Sequence, residues 1–233
     1  MIFIKKRFDL LFIIFILLFT VTGCGNKPDL SDDNKVDISN QSSLPIKLED
    51  NIITTGAFTK RNDFVVFLKN NNSVPIDLKI EVEFYDANNQ LVDTEDEFLK
   101  GVGANREIAQ MFGHYDVRKT AVDYKINVTA KKSNVLTMFD KLNNYYTFTT
   151  NGVEVKLDNF SDTVISVVSL TVVYYKDKEV VGIVKEKVNN VKSGKYTILE
   201  MPNPEDSNFY TQSYSSGFFN QFKLFINEAY NEV

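Results

Sequence analysis

One cysteine, Cys24, and one histidine, His114, are the only side chains of their kinds among 233 residues. Cys24 directly follows Val21, Thr22 and Gly23, so its thiol sits behind small residues and has no second cysteine to pair with. A lone thiol in that position suits covalent modification. His114 follows Met111-Phe112-Gly113 and has neither a cysteine nor a carboxylate at metal-ligand spacing, so it suggests no zinc site and no catalytic triad. Asp93-Thr94-Glu95-Asp96-Glu97 places four carboxylates in five residues. Oxygen ligands of this kind suit hard cations such as calcium. In a strand, however, alternate side chains face opposite ways, which splits the run, and no glycine-turned loop accompanies it. It reads as a solvated strand edge whose charge resists strand-to-strand aggregation. No GxSxG, HExxH or phosphate-cradling loop is present. The chain reads as a non-enzyme with no metal and no cofactor.

The segment before Cys24 is basic, then apolar, then small. Lys5, Lys6 and Arg7 open it, residues 10–19 are an unbroken apolar run, and small residues follow. That is the layout of a secretory signal. The run is short for a membrane span, which needs roughly 20 residues. Val21-Thr22-Gly23-Cys24 resembles a bacterial lipobox. The resemblance implies a thioether-linked diacylglycerol on Cys24 and cleavage before it. The expectation is a signal peptide over 1–23 and a mature protein lipid-anchored to the outer face of the cell membrane, with the membrane as its first partner. Residues 1–23 hold three basic residues and one acidic one, so without them the formal charge falls from −5 to −7. Such a chain has no electrostatic case for nucleic acid. Residues 24–45 are polar and read as a flexible tether, with a reach on the order of 25 Å.

Beyond the tether the apolar period becomes two. Phe64, Val66 and Leu68 share a face. Ile76, Leu78, Ile80, Val82 and Phe84 alternate with Asp77, Lys79, Glu81 and Glu83, as a half-buried antiparallel strand requires. Turn signals separate the runs, and the fold class is all-β. The plan recurs about 90 residues on. Leu78, Ile80, Val82 and Phe84 fall on Val168, Leu170, Val172 and Tyr174. Phe64, Val66, Leu68 and Asn70 fall on Val153, Val155, Leu157 and Asn159, one residue closer. At the offset of 90, Leu91 falls on Val181, Ile108 and Met111 on Ile198 and Met201, and Gly103-Ala104-Asn105 on Ser193-Gly194-Lys195. Tyr124, Ile126 and Val128 fall on Phe222, Leu224 and Ile226 after eight extra residues. These spacings predict tandem β-sandwich modules at 46–132 and 145–233. The linker, 133–144, carries Val135, Leu136, Met138, Phe139 and Leu142 at loosely helical spacing, compatible with a short helix.

Val82-Glu83-Phe84-Tyr85-Asp86, after the Leu68-Lys69-Asn70 strand end and before the Gly103-Ala104-Asn105 turn, resembles the FxLYD domain of bacterial cell-surface proteins and lipoproteins. The second copy reads Val172-Val173-Tyr174-Tyr175-Lys176. The first has Val82 and Phe84 where the family name has Phe and Leu, and Lys176 replaces the acidic end in the second. The resemblance implies an immunoglobulin-like sandwich without catalysis.

Binding candidates lie in the second module. Phe209, Tyr210 and Tyr214 stand on its extra loop, and aromatic rings on loops make good partner anchors. Ile165, Val167, Val173 and Tyr175 make the outer face of its central strand apolar. An apolar face of that size is covered by something: the loop, the first module or a partner. A partner is expected to sit on this module, and protein or cell wall fits the location. The functional expectation is a membrane-anchored, non-catalytic binding or spacer protein. The alternative is a structural envelope protein that self-associates through its second module.

Overall fold

Alternation of apolar and polar residues leaves strands little choice of face, and the chain folds accordingly. The computed structural model describes residues 47–59, 63–112, 120–149, 152–202 and 219–232. Among them are thirteen strands, two 3-10 turns and no α-helix. The strands are β1 (Ile52–Phe58), β2 (Phe64–Asn70), β3 (Ile76–Tyr85), β4 (Leu91–Val102), β5 (Glu107–Phe112), β6 (Asp123–Lys132), β7 (Leu136–Thr137), β8 (Leu142–Thr149), β9 (Gly152–Asn159), β10 (Ile165–Lys176), β11 (Glu179–Val191), β12 (Tyr196–Pro202) and β13 (Gln221–Asn231). All pairings are antiparallel. The sheet orders are β1-β2-β5, β4-β3-β6, β11-β10-β13-β7 and β12-β9-β8. Strands up to β6 therefore pair only among themselves, and so do those from β7 on.

The sheets stack in four layers, because apolar side chains fill three gaps. Phe64, Val66 and Leu68 meet Ile76, Leu78, Ile80, Val82 and Phe84 in the first gap. Val153, Val155 and Leu157 meet Val168, Leu170, Val172 and Tyr174 in the third. Full burial of each such side chain contributes about 1.5–3 kcal/mol. The middle gap joins the two halves. Val65 and Ala109 meet Val173, Ile183 and Phe225 there. All described residues belong to one compact unit.

A buried asparagine closes each half. Asn70 Nδ2 donates to the carbonyls of Val102 (3.2 Å) and Gly103 (2.9 Å), and its Oδ1 accepts from the Asn72 N–H. Asn159 Nδ2 donates to Thr163 and Val191, both at 2.8 Å, and its Oδ1 accepts from the Ser161 N–H. Asn70, Asn72 and Val102 lie 89 positions before Asn159, Ser161 and Val191.

Register corrects several sequence equivalences. Ile76 faces Val102 and Ile165 faces Val191, but Leu78 faces Leu99 while Val168 faces Val188. β10 thus spends one extra residue here, which raises the offset from 89 to 90. The next hairpin takes that residue back. Tyr85 faces Leu91, and Tyr175 faces Val180, across a connection one residue shorter. Leu91 therefore corresponds to Val180, not Val181. Downstream, Phe64 faces Phe112 and Val153 faces Met201. Met201 matches Phe112 rather than Met111, and Ile198 is exposed where Ile108 is buried. A one-residue slip exchanges the faces of a strand. In the turns, left-handed Asn105 (φ 56°) matches Gly194 (φ 62°), not Lys195. The second half then carries nine extra residues before β13. The short helix expected in 133–144 is absent. That segment makes β7, a 3-10 turn over Phe139–Lys141, and the start of β8 at Leu142. Val135 fills the space beside Gly101, where a Cβ would meet its Cγ2 at 2.5 Å.

Candidate functional site: an aromatic edge strand

Cys24, His114, Phe209, Tyr210 and Tyr214 lie outside the described residues. The acidic run falls on β4, as a strand. Asp93, Glu95 and Glu97 stand opposite Phe84, Val82 and Ile80, on the core side of this edge strand, and Asp96 stands on the other. Lys79 pairs with Asp96 at 3.8 Å and Lys185 with Glu97 at 3.4 Å.

The apolar outer face of β10 is not a free docking surface. Val173 is fully buried, and Tyr175 packs into the same layer between the halves. Polar groups pin that layer. Asn227 is fully buried. Its Oδ1 accepts from the Ala109 N–H (3.2 Å), and its Nδ2 donates to the Ala109 carbonyl (2.8 Å) and to Thr171 Oγ1 (3.0 Å). One side-chain amide thus acts as a strand neighbour to β5. Glu228 Oε1 accepts the Lys100 N–H at 2.8 Å. Burial raises the Glu228 carboxyl above its ordinary value, opposed by that hydrogen bond and by Lys187 and Lys185. Lys223 Nζ reaches Glu107 at 2.8 Å and holds its carboxyl below the usual range. A groove of about 330 Å³ beside this pair is lined by Phe67, Tyr175, Phe225 and Lys69.

Edge strands of the first half are closed by side chains. Tyr124 OH donates to the Gly56 carbonyl of β1 at 2.9 Å. Glu49 Oε1 accepts the Ala130 N–H of β6 at 3.0 Å. Gly56 is required by the first contact, because a Cβ there would lie 2.3 Å from Phe64 Cζ and 2.9 Å from Tyr124 Cε2.

β8 is the counterpart of β1, and among the described residues no side chain closes its residues 143–148. Phe58 faces Phe64 and Gly56 faces Val66; Phe148 faces Val153 and Tyr146 faces Val155. Tyr146 therefore stands where Gly56 stood, and Phe222 where Tyr124 stood. A phenylalanine has no hydroxyl to donate, and a tyrosine leaves no room for a ring to approach the backbone. The rings meet each other instead. Tyr146 and Phe222 are edge-on at 4.9 Å, and Phe148 and Phe222 at 5.1 Å. Phe219 continues the cluster, at 6.4 Å from Phe148 and 4.7 Å from Tyr174. Tyr174 itself is buried, and its hydroxyl donates to the Met201 carbonyl. Residues 143–149 are all exposed. Tyr146 is 57% exposed and Phe148 60% despite their ring contacts. On the outer face Tyr145 stands opposite Lys156, whose Nζ lies 3.5 Å over the Tyr196 ring. Sequence reasoning did not single out β8. Its signal was present in Tyr145-Tyr146-Thr147-Phe148-Thr149, an uncharged aromatic stretch with strand propensity.

Neither a family model nor a curated protein matches the sequence.

Proposed function

We propose that this chain is an extracytoplasmic lipoprotein, anchored through Cys24, whose folded part is a non-catalytic binding module. In this reading the two halves are copies of one immunoglobulin-like sandwich of the kind the FxLYD resemblance implies. The parallel clasps of Asn70 and Asn159, with partners at one common offset, support duplication over chance alternation. The observation that carries the binding role is the exposed aromatic row of β8. Exposed rings grouped on one unlatched strand are the usual material of a protein contact. The partner class is another macromolecule of the envelope.

A photo-crosslinking residue at Tyr145, in membranes of cells expressing the full chain, tests this. The expected outcome is a discrete macromolecular adduct, with none from the same residue placed at Lys125, on the exposed face of β6. Equal absence at both sites would overturn the binding role.

A further inference from the structure

Resting on that binding role, we propose that the occupant of β8 is a second copy of this chain. Two β8 strands pair antiparallel, and the β12-β9-β8 sheets of two copies become one six-stranded sheet.

The first argument is the state of the first half's edges, against which β8 stands as the counterpart of β1. Tyr124 closes β1, Glu49 closes β6, and Asn227 and Glu228 take up backbone groups of β5 and β4. β4 also turns Asp93, Glu95 and Glu97 toward its core side. Inward charges of this kind keep a further strand from joining an edge. Among the described residues, no side chain bonds the backbone of residues 143–148. The free N–H and C=O groups of that edge are a template for an extended chain.

The second argument is charge. β8 reads Leu-Asn-Asn-Tyr-Tyr-Thr-Phe-Thr, with no charged residue, proline or glycine. The chain as a whole is acidic, at −5. Two acidic copies approach with least repulsion along a neutral strand. A strongly charged partner would find no counter-charge on β8.

The third is self-complementarity. Antiparallel pairing keeps every inner residue on the inner face only when the two-fold axis passes through a residue, since partners then share parity. An axis at Thr147 sets Tyr146 against Phe148 of the partner subunit and Tyr145 against Thr149 of the partner subunit. Each ring of the inner row then gains a ring neighbour, the kind of cross-strand pair that stabilises sheets. Thr147 faces its own copy, with Cα atoms about 4.5–5.5 Å apart.

Sedimentation of the full chain in detergent tests the pairing. Wild type is expected to show a concentration-dependent dimer. Thr147→Lys places two ammonium groups face to face and should weaken that dimer at least tenfold at low salt, with recovery as salt rises. Its thermal midpoint should stay unchanged, since Thr147 is exposed and stands opposite Glu154. Thr147→Cys should oxidise to a covalent dimer beyond any formed by the wild type's own cysteine, because the opposed Cα spacing suits a disulfide. A wild type that stays monomeric without the Thr147→Cys crosslink overturns the proposal, and so does a dimer indifferent to Thr147→Lys. Adducts at Tyr145 carrying a different macromolecule would overturn the second copy and leave the binding role standing. No adduct at all removes both.

Discussion

Asn159 satisfies its amide wholly within the protein, tying the end of β9 to the Thr163 loop and to the last residue of β11. Removing it orphans the buried Val191 carbonyl and the Ser161 N–H, and takes one of two donors from the Thr163 carbonyl. Asn159→Ala should lower the unfolding free energy by about 2–4 kcal/mol. Asn159→Asp should cost a similar amount, because a carboxylate cannot donate to those carbonyls. Urea midpoints at constant slope check both. Glu228 behaves oppositely. Its folded carboxyl titrates above its ordinary value because burial disfavours the charge. The resulting cost is absent below that value and complete above the raised one, so it grows as pH rises. Glu228→Gln keeps an acceptor for the Lys100 N–H. Its melting temperature relative to wild type should therefore climb between pH 4 and pH 8; an advantage that shrinks over that range would contradict the cause given. Asn70 and Asn159 were legible as matching strand ends. Their roles were not, since the Val102 and Val191 carbonyls lie 32 residues away. Asn227 and Glu228 carry no local signal, because their backbone partners, Ala109 and Lys100, belong to the other half.

Strands β3 and β10 were the legible elements, since five alternating apolar residues on β3 leave one face to bury. What alternation does not encode is the length of a hairpin. The second half drops one residue between Tyr175 and Val180, and the equivalences through β12 slip with it, while those of β13 (Phe222, Leu224 and Ile226 for Tyr124, Ile126 and Val128) hold. Only pairing reveals that Met201, and not Ile198, points inward. The same limit hid the difference between β1 and β8, which turns on a glycine and a hydroxyl brought together across 68 residues. Tyr124→Phe removes that hydroxyl alone. It should cost about 1 kcal/mol and speed amide exchange along β1, as measured by mass spectrometry. The other edge strands should be unaffected.

The described residues form a stack of four sheets in which the middle apolar layer belongs to both halves. That layer answers what covers the outer face of β10, and it removes the face on which a partner was expected. An apolar face on one element requires a cover but does not name it. The cover came from Val65 and Ala109, ordinary residues of β2 and β5. With that surface consumed, the proposed recognition moves to β8. Hydrogen exchange on the dilute full chain tests this most directly, because latched and unlatched edges sit in one molecule. The account predicts slow exchange at Ala109 and Ala130, whose N–H groups are held by Asn227 and Glu49, and fast exchange at the free-edge amides of residues 143–148, slowing as concentration rises. Equal protection of those β8 amides and of Ala109 and Ala130 at every concentration would contradict it.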